Sequence, residues 1–300
     1  MKFGNLTDVG RQREHNEDNL LASIFRFGSG LRRIEYALLV VADGMGGAAA
    51  GEVASELSVQ TVATVTYETL LKIHTNTEQA WLNPGAVLRN AVERANQEVF
   101  TKAREVPQFM GMGATLTAVL VVQGRAYIGQ VGDSRAYILR GGNLRQITRD
   151  HSFVGELLRD GRISEAEART HPRKNIITRA VGSRPRVQVD VFTEQLQAGD
   201  LLLSCSDGLS GMVTDEEMRQ LLNDGRSKHL DHLEMCTQLI ARANEAGGTD
   251  NITVSLASIE PRDVPSKAMD HACLAPEVTL TWDEAVRLEL EDHSFQLVDP

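Results

Sequence analysis

Three hundred residues, 42% hydrophobic and 24% charged, describe an ordinary globular chain, long enough for a well-buried core and neither disordered nor fibrous. The formal net charge of −10 excludes a protein whose main partner is nucleic acid, since phosphate backbones are held by basic surfaces. It suits a protein that binds cations.

In chain order, apolar runs rich in Val, Ile and Leu at residues 36–42, 114–122, 126–131, 136–139, 201–205 and 252–259 read as buried strands. Gly124 separates the second from the third, and Gly141-Gly142-Asn143 follows the fourth as a turn. Strands this close in sequence favour antiparallel hairpins, because a parallel pair needs a long crossover. Helices lie between the strand groups. Residues 52–73 have helical periodicity, and Asn83-Pro84 reads as the N-cap and first residue of a helix running to Arg104. Ser164 with Glu167 and Thr214 with Glu217 have capping-box spacing, and residues 229–245 read as a further helix. Strand clusters alternating with paired helices predict helices on the outer faces of a largely antiparallel sandwich.

Two segments differ in charge. Residues 145–186 carry ten Lys/Arg against five Asp/Glu and few strand signals, as an insertion beside the core would. From Glu260 onward ten acidic residues face three basic ones, broken by Pro261, Pro265 and Pro276. Residues 260–300 read as a linker and acidic tail, with one short element near 278–283. Cys205, Cys236 and Cys273 are far apart and form no C-x-x-C pair, so reduced thiols are expected rather than a disulfide framework or zinc knuckle. Residues 1–10 lack a signal-peptide pattern, and the apolar stretches 37–42 and 118–122 are too short for a bilayer. The expectation is a cytoplasmic protein that does not contact membrane.

The chemistry resides in aspartates at strand ends. Asp43-Gly44 and Asp207-Gly208 each follow a buried run, with Gly46-Gly47 just beyond the first. One Asp-Gly is ordinarily a turn. Two copies directly after buried strands point instead to rigidly placed carboxylates, with glycine letting backbone carbonyls come close to an ion. A phosphate-cradling glycine loop is disfavoured, because Asp43 would repel bare phosphate and the spacing is wrong. Asp133 lies in Val131-Gly132-Asp133-Ser134-Arg135, and Asp250 precedes Asn251 after Gly247-Gly248-Thr249. Arg13, suited to bidentate phosphate binding, stands close to Glu17 and Asp18. Carboxylates without a matching His/Cys set select Mg²⁺ or Mn²⁺ over zinc or copper. His229 and His232 read as an exposed helix face. His15, His151 and His171 read as supporting or surface groups rather than ligands, Arg135 as a local structural residue, and the methionines as core filler.

Arg13-x-x-Asn16-Glu17-Asp18, Asp43-Gly44-Met45-Gly46-Gly47, Gly113-Ala114-Thr115, Val131-Gly132-Asp133-Ser134-Arg135, Ser206-Asp207-Gly208 and Asp250-Asn251 occur in that order. Together with Thr148-Arg149-Asp150-His151-Ser152 and Ile177-Thr178-Arg179-Ala180-Val181-Gly182, this series resembles the metal-dependent serine/threonine protein phosphatases of type 2C, the PPM family, especially their bacterial members. The resemblance spans residues 2–259. It implies an α+β fold: a four-layer αββα sandwich, two antiparallel sheets flanked by helix pairs, with residues 1–259 as catalytic domain and about 145–186 as a flap. It implies two core ions, Mn²⁺ or Mg²⁺, and a third, weaker one. Asp43 would bridge the core pair with the Gly44 carbonyl as a further ligand. Asp207 and Asp250 would hold the first metal, Glu17 would act near the second, Asp133 with Asp207 would serve the third, and Arg13 would clamp the phosphate.

The implied reaction is hydrolysis of phosphoserine and phosphothreonine in proteins by direct attack of a metal-bridging hydroxide. No phosphoenzyme is expected. The implied partners are phosphorylated proteins and a bacterial serine/threonine kinase whose action the protein opposes, with the chain itself a monomer. Many eukaryotic relatives carry a histidine general acid where this chain has Met45, which cannot donate a proton. Two rival readings are a catalytically dead phosphoprotein-binding module, against which the intact aspartates speak, and a hydrolase of small phosphate esters, which a broad basic flap disfavours.

Overall fold

The chain opens with β1 (Lys2–Asp8), β2 (Asp18–Phe27) and β3 (Ile34–Met45), followed by α1 (Ala48–Thr75) and α2 (Pro84–Glu105). Next come β4 (Gly113–Ala114), β5 (Leu116–Val122), β6 (Arg125–Val131), β7 (Arg135–Arg140) and β8 (Asn143–Gln146), then the short helices α3 (Phe153–Arg159) and α4 (Glu165–Thr170). β9 (Asp190–Gln195), β10 (Leu201–Cys205), α5 (Asp207–Ser210), α6 (Asp215–Ser227), α7 (His232–Glu245) and β11 (Ile252–Ser258) complete it. The computed structural model describes residues 1–28, 34–75 and 83–264. Cys273 and the element expected at 278–283 lie outside them.

Every strand pair is antiparallel. One sheet has the order β1-β11-β10-β7-β8, and the other β2-β3-β5-β6-β9 with β4 on β3. Period-two alternation divides each central strand between two cores. Ala37 and Leu39 of β3 face Ile138, Leu202 and Ala257 between the sheets. Leu38 and Val40 face Leu88 and Val92 of α2. On the other outer face Leu203, Val254 and Leu256 meet Met235 and Leu239 of α7. The layers are therefore helix, sheet, sheet, helix, as the resemblance implies.

Local chemistry explains most boundaries. Asn83 caps α2 by accepting from Ala86 N at 3.1 Å, and both expected capping boxes form, at Ser164/Glu167 and Thr214/Glu217. Gln123-Gly124 and Gly141-Gly142 have positive φ at both positions, the geometry that two-residue hairpins require. Three boundaries depart from the sequence reading. The run 114–122 breaks at Thr115, whose N–H donates to Asp43 O at 2.8 Å. β3 continues past Ala42 because β4 pairs with Gly44 and Met45. α7 starts at His232 under an Asp231 cap, so His229, at φ +55°, is not on a helix face. β1, β2 and β9 are not anticipated, and β8 is implied only as the arm beyond the Gly141-Gly142 turn; polar residues interrupt the apolar pattern of all four, which are the sheet edges.

Candidate metal centre

Register, not sequence proximity, gathers the carboxylates. Asp18 at the start of β2 is the cross-strand partner of Asp43 in β3. In the other sheet Cys205 pairs with both Arg135 and Val254. Asp207 follows β10, while Asp133 and Asp250 precede β7 and β11, so all three emerge at one end of adjacent strands. The two sheets present these ends together: Asp43 is influenced by the charges of Asp18, Asp207, Asp133 and Asp250. Asp133, Asp207 and Asp250 also line a cleft of about 410 Å³ whose far wall is formed by Val154, Leu158, Arg169 and Lys174.

Neither Asp-Gly is a turn. Gly44 and Gly208 are absent from the positive-φ glycines. Each is glycine because backbone lies against it: a Cβ on Gly44 would fall 2.1 Å from Gly51 O, and one on Gly208 1.9 Å from Asn251 O. The close contact locks β3 to α1 and α5 to β11, which fixes the preceding aspartates. Gly51 does the same for Glu17, since a Cβ there would sit 1.9 Å from Glu17 Oε2.

The donor set fits a hard divalent ion. Asp18 Oδ1, Asp133 Oδ1 and Asp207 Oδ1 are buried and have no hydrogen-bond partner, a costly state for carboxylate oxygens unless a cation satisfies them. Burial, reinforced by neighbouring carboxylates, pushes the acid constants of Asp43, Asp133 and Asp207 up, and burial pushes Asp18 up to about 7. Glu17 is raised for the same first reason. The cage is not closed: among the described residues no three His, Cys, Asp or Glu side chains already surround one point as ligands. The fit therefore rests on the orphaned oxygens and on their shared charge, both of which a divalent cation would relieve.

Arg13 reaches the rim. Its Nη2 donates to Asp250 Oδ2 at 2.9 Å while half of its side chain (51%) stays exposed, and this bond is the main cause that raises its acid constant. Asn251 sets the loop that carries Arg13 and Glu17. Its Oδ1 accepts from Glu17 N at 2.8 Å, and its Nδ2 donates to Val9 O at 3.0 Å and His15 O at 2.9 Å. Residues 147–189, which span the cleft's far wall, are tied at both roots. Arg135 makes a two-pronged pair with Asp150, as close as 2.7 Å, and Asn96 of α2 accepts from Gly182 N and donates to Arg184 O. Across the cleft, Arg169 Nη1 donates to Ser210 O at 3.2 Å.

All the expected residues except Arg13 thus lie at strand ends of one pole, Glu17 directly before β2, and the Asn251 clamp holds the loop that carries Arg13 and Glu17. The sequence reading missed Asp18 as a member of the cluster. The signal was its place beside Glu17, but its burial against Ser206, whose Oγ donates to Asp18 Oδ2 at 2.7 Å, needs a partner 188 residues away. His151 is not a surface group but 4% exposed, with burial the first cause that lowers its acid constant. His171 bonds only to its own turn, accepting from Arg173 N at Nδ1.

A two-sheet sandwich with partnerless aspartates at one pole defines a metal-centred hydrolase fold, and comparison with known proteins agrees. The family model described as Protein phosphatase 2C matches residues 12–256. The chain belongs to the protein phosphatase 2C family. It is 41% identical over 264 residues to a serine/threonine phosphatase stp of Listeria monocytogenes, covering 88% of this chain and 97% of that one. It is 34% identical over 263 residues to protein phosphatase PhpP of Streptococcus pneumoniae, covering 88% and 99%. Among solved structures, the catalytic domain of the serine/threonine protein phosphatase PstP in complex with two manganese ions superposes with a TM-score of 0.68 at 35% identity, covering 86% of this chain and 98% of that one. As in that family, dependence on divalent metal is a property of the chain.

Proposed function

We propose that this chain, a serine/threonine protein phosphatase of the 2C family, hydrolyses phosphoserine and phosphothreonine in proteins at the pole defined by Asp43, Asp207 and Asp250. One observation carries the residue assignment: buried carboxylate oxygens of Asp133 and Asp207 without partners, in electrostatic contact with Asp43. Asp43, the Gly44 carbonyl, Asp207, Asp250 and Glu17 would hold two core ions, Mn²⁺ or Mg²⁺, and Asp133 with Asp207 a third, weaker one. Such ions supply Lewis-acid stabilisation of the phosphoryl group and make water a competent nucleophile near neutral pH.

The chain's own residues do the rest. Arg13 would grip phosphoryl oxygens with the guanidinium donors that no described residue engages, a charge-assisted fork suited to that geometry. Gly44 and Gly208 hold the aspartates rigid, so the donors are preorganised rather than recruited. Met45 offers no proton to the leaving alkoxide, so proton delivery falls to water. Val154, Leu158 and Lys174 extend the cleft beyond the carboxylates, which supports a phosphoprotein substrate over a small ester. A serine/threonine kinase that supplies those phosphoproteins is the corresponding partner, and the monomer is the functional unit. Phosphopeptide turnover should vanish in chelator and return with Mn²⁺. Undiminished turnover by metal-free protein would overturn the reading.

A further inference from the structure

Asp133 presents a problem that its own side chain does not solve. Its Oδ1 is buried without a partner, so no bond to that oxygen fixes its direction and the backbone that carries the residue matters. That backbone is the bend 132–134, which crosses from β6 in one sheet to β7 in the other. Buried side chains hold the bend on the sheet side. Gln130 Nε2 donates to Gly132 O at 3.2 Å, Thr117 Oγ1 donates to Ser134 O at 2.8 Å, and Thr115 and Ser134 share a hydroxyl bond of 2.6 Å. On the other side stands His151. Its Nδ1 accepts from Gly132 N at 3.0 Å, and its own N–H donates to Gly132 O at 2.9 Å.

The rest of His151 belongs to different elements. With Nδ1 an acceptor, the ring hydrogen is on Nε2, which lies 3.1 Å from Asp190 Oδ2 at the start of β9. Arg179 Nη1, 3.0 Å from the same Nε2, cannot donate to it. It donates instead to Asp190 Oδ1 at 2.7 Å and Gln188 O at 3.1 Å. His151 O accepts from Thr178 N at 2.8 Å. His151 thus joins three elements by different atoms: the ring ties the Asp133 bend at Gly132 N to Asp190, the first residue of β9, and the main-chain carbonyl holds Thr178 on the return arm of the flap, with Arg179 reached only through Asp190.

We propose that His151 is a positioning residue that sets the Gly132–Asp133 bend, and through it the third metal-binding carboxylate, by reference to Arg179 and Asp190 at the root of the flap. The proposal rests on Asp133 serving a metal ion. A group hydrogen-bonded to a metal ligand typically changes metal affinity ten- to a hundredfold when lost; His151 acts one residue away, through Gly132, so the low end of that range, about tenfold, is expected. The imidazole's two nitrogens can be tested apart, because an Asn amide oxygen falls near the Nδ1 position while a Gln amide reaches only the Nε2 position.

The experiment titrates the full chain and its His151→Asn, His151→Gln and Asp133→Ala variants with Mn²⁺, reading binding by calorimetry and turnover of p-nitrophenyl phosphate in parallel. Exchange of the Gly132 amide hydrogen in metal-free protein is a separate readout that needs no activity. His151→Asn, which keeps the Gly132 acceptor, should retain a protected amide and a weak-site affinity within about threefold of the parent. His151→Gln should expose the amide and weaken the third Mn²⁺ site about tenfold while the two tighter sites stay unchanged. Equal behaviour of the Asn and Gln variants, or an unshifted weak site in His151→Gln beside a shifted one in Asp133→Ala, would overturn the positioning role. An unshifted weak site in Asp133→Ala would remove the metal role of Asp133 itself and the proposal with it. A His151→Gln chain that loses the tight sites as well shows general damage, and that also counts against a specific link to Asp133.

Discussion

Asp18, Asp43, Asp133 and Asp207 share a predicament: each is an acid in a place that disfavours its charge. Without metal the cluster repels itself, so Asp43→Asn or Asp207→Asn should nearly abolish phosphatase activity while raising the melting temperature of the metal-free fold, because the amide removes one of the mutually repelling carboxylates. Calorimetric melting in chelator checks this; a lower melting temperature for both variants would contradict the charge argument. Asp18 gives the pH dependence. Its folded value of about 7 lies above the ordinary aspartate value of 3.8, so the stability linked to it is complete below about pH 4 and is lost as pH rises from there through 7. The neutral mimic Asp18→Asn should therefore melt level with the parent only below about pH 4 and increasingly above it as the pH is raised to about 8, both metal-free. Comparing the two proteins cancels the histidines, which titrate in both. Arg13 is held by Asp250 at 2.9 Å yet half exposed. Arg13→Ala should mainly raise KM for phosphopeptide, by roughly ten- to a hundredfold, from the 1.5–3 kcal/mol of a charge-assisted bond. A fall in kcat alone would mean that Arg13 acts on the metal ligands rather than on substrate.

At the scale of elements, glycines make the joints. Gly44, Gly51 and Gly208 each abut an atom that a Cβ would overlap, but the atoms differ. Gly44 and Gly208 meet backbone oxygens, whereas Gly51 of α1 meets the end of the Glu17 side chain. Gly51→Ala should displace the Glu17 carboxylate, whose side chain can move away, and should cost the fold less than Gly208→Ala, since the nearest backbone atom, Gly44 C, is 3.1 Å from the added Cβ. The expected outcome is a higher Mn²⁺ requirement with a melting temperature close to the parent's in the metal-free state. Gly208→Ala should instead lower metal-free stability by at least the 1–3 kcal/mol of an overpacked site. If the two variants rank the other way in melting experiments, the contact assignment is wrong. The same logic explains why the Asp-Gly pairs were legible as important but not as what they are. The dipeptide signals a turn by local propensity, and only the neighbouring chain shows that close backbone packing demanded the glycine.

At the scale of the molecule, the two poles of the sandwich have different duties. β10 and β11 run antiparallel, so the carboxylates sit at the end where β10 finishes and β11 begins, and Ser258 leaves at the other end. There Asp200 O accepts from Ile259 N at 2.9 Å, and Glu260 and Arg262 pair within their own turn. The described chain therefore reaches Val264 at the pole away from the cleft. A chain ending at Val264 should keep its melting temperature, and its KM for acidic phosphopeptides at low salt should match the full chain's. A lower KM after truncation, shrinking as salt screens exposed charge, would instead show the tail competing for the basic flap. No helix among the described residues is long and apolar enough to cross a membrane.

Local chemistry made some of this readable in advance. Capping residues name their helix starts at Asn83, Ser164 and Thr214, apolar runs name the central strands, and Gly141-Gly142 names a hairpin, because each is decided within a few residues of backbone. The candidate metal ligands were also legible, since carboxylates at the ends of buried runs have few other reasons to be there. The edge strands β1, β2 and β9 were not, and β8 only through its turn, because an edge strand has one solvated side and its pattern dissolves into polar residues. Nor was the membership of Asp18, the clamp of Asn251 on the Arg13 loop, or the junction at His151. Each depends on tertiary contacts: Ser206 to Asp18 and Asn251 to Glu17 join opposite ends of the chain, and His151 meets Gly132 and Asp190 from 19 and 39 residues away. Sequence determined which residues have chemistry to offer and which backbone segments must pair. Tertiary structure alone decided which of those charges are buried beside one another, because burial is a property of the neighbours and not of the residue.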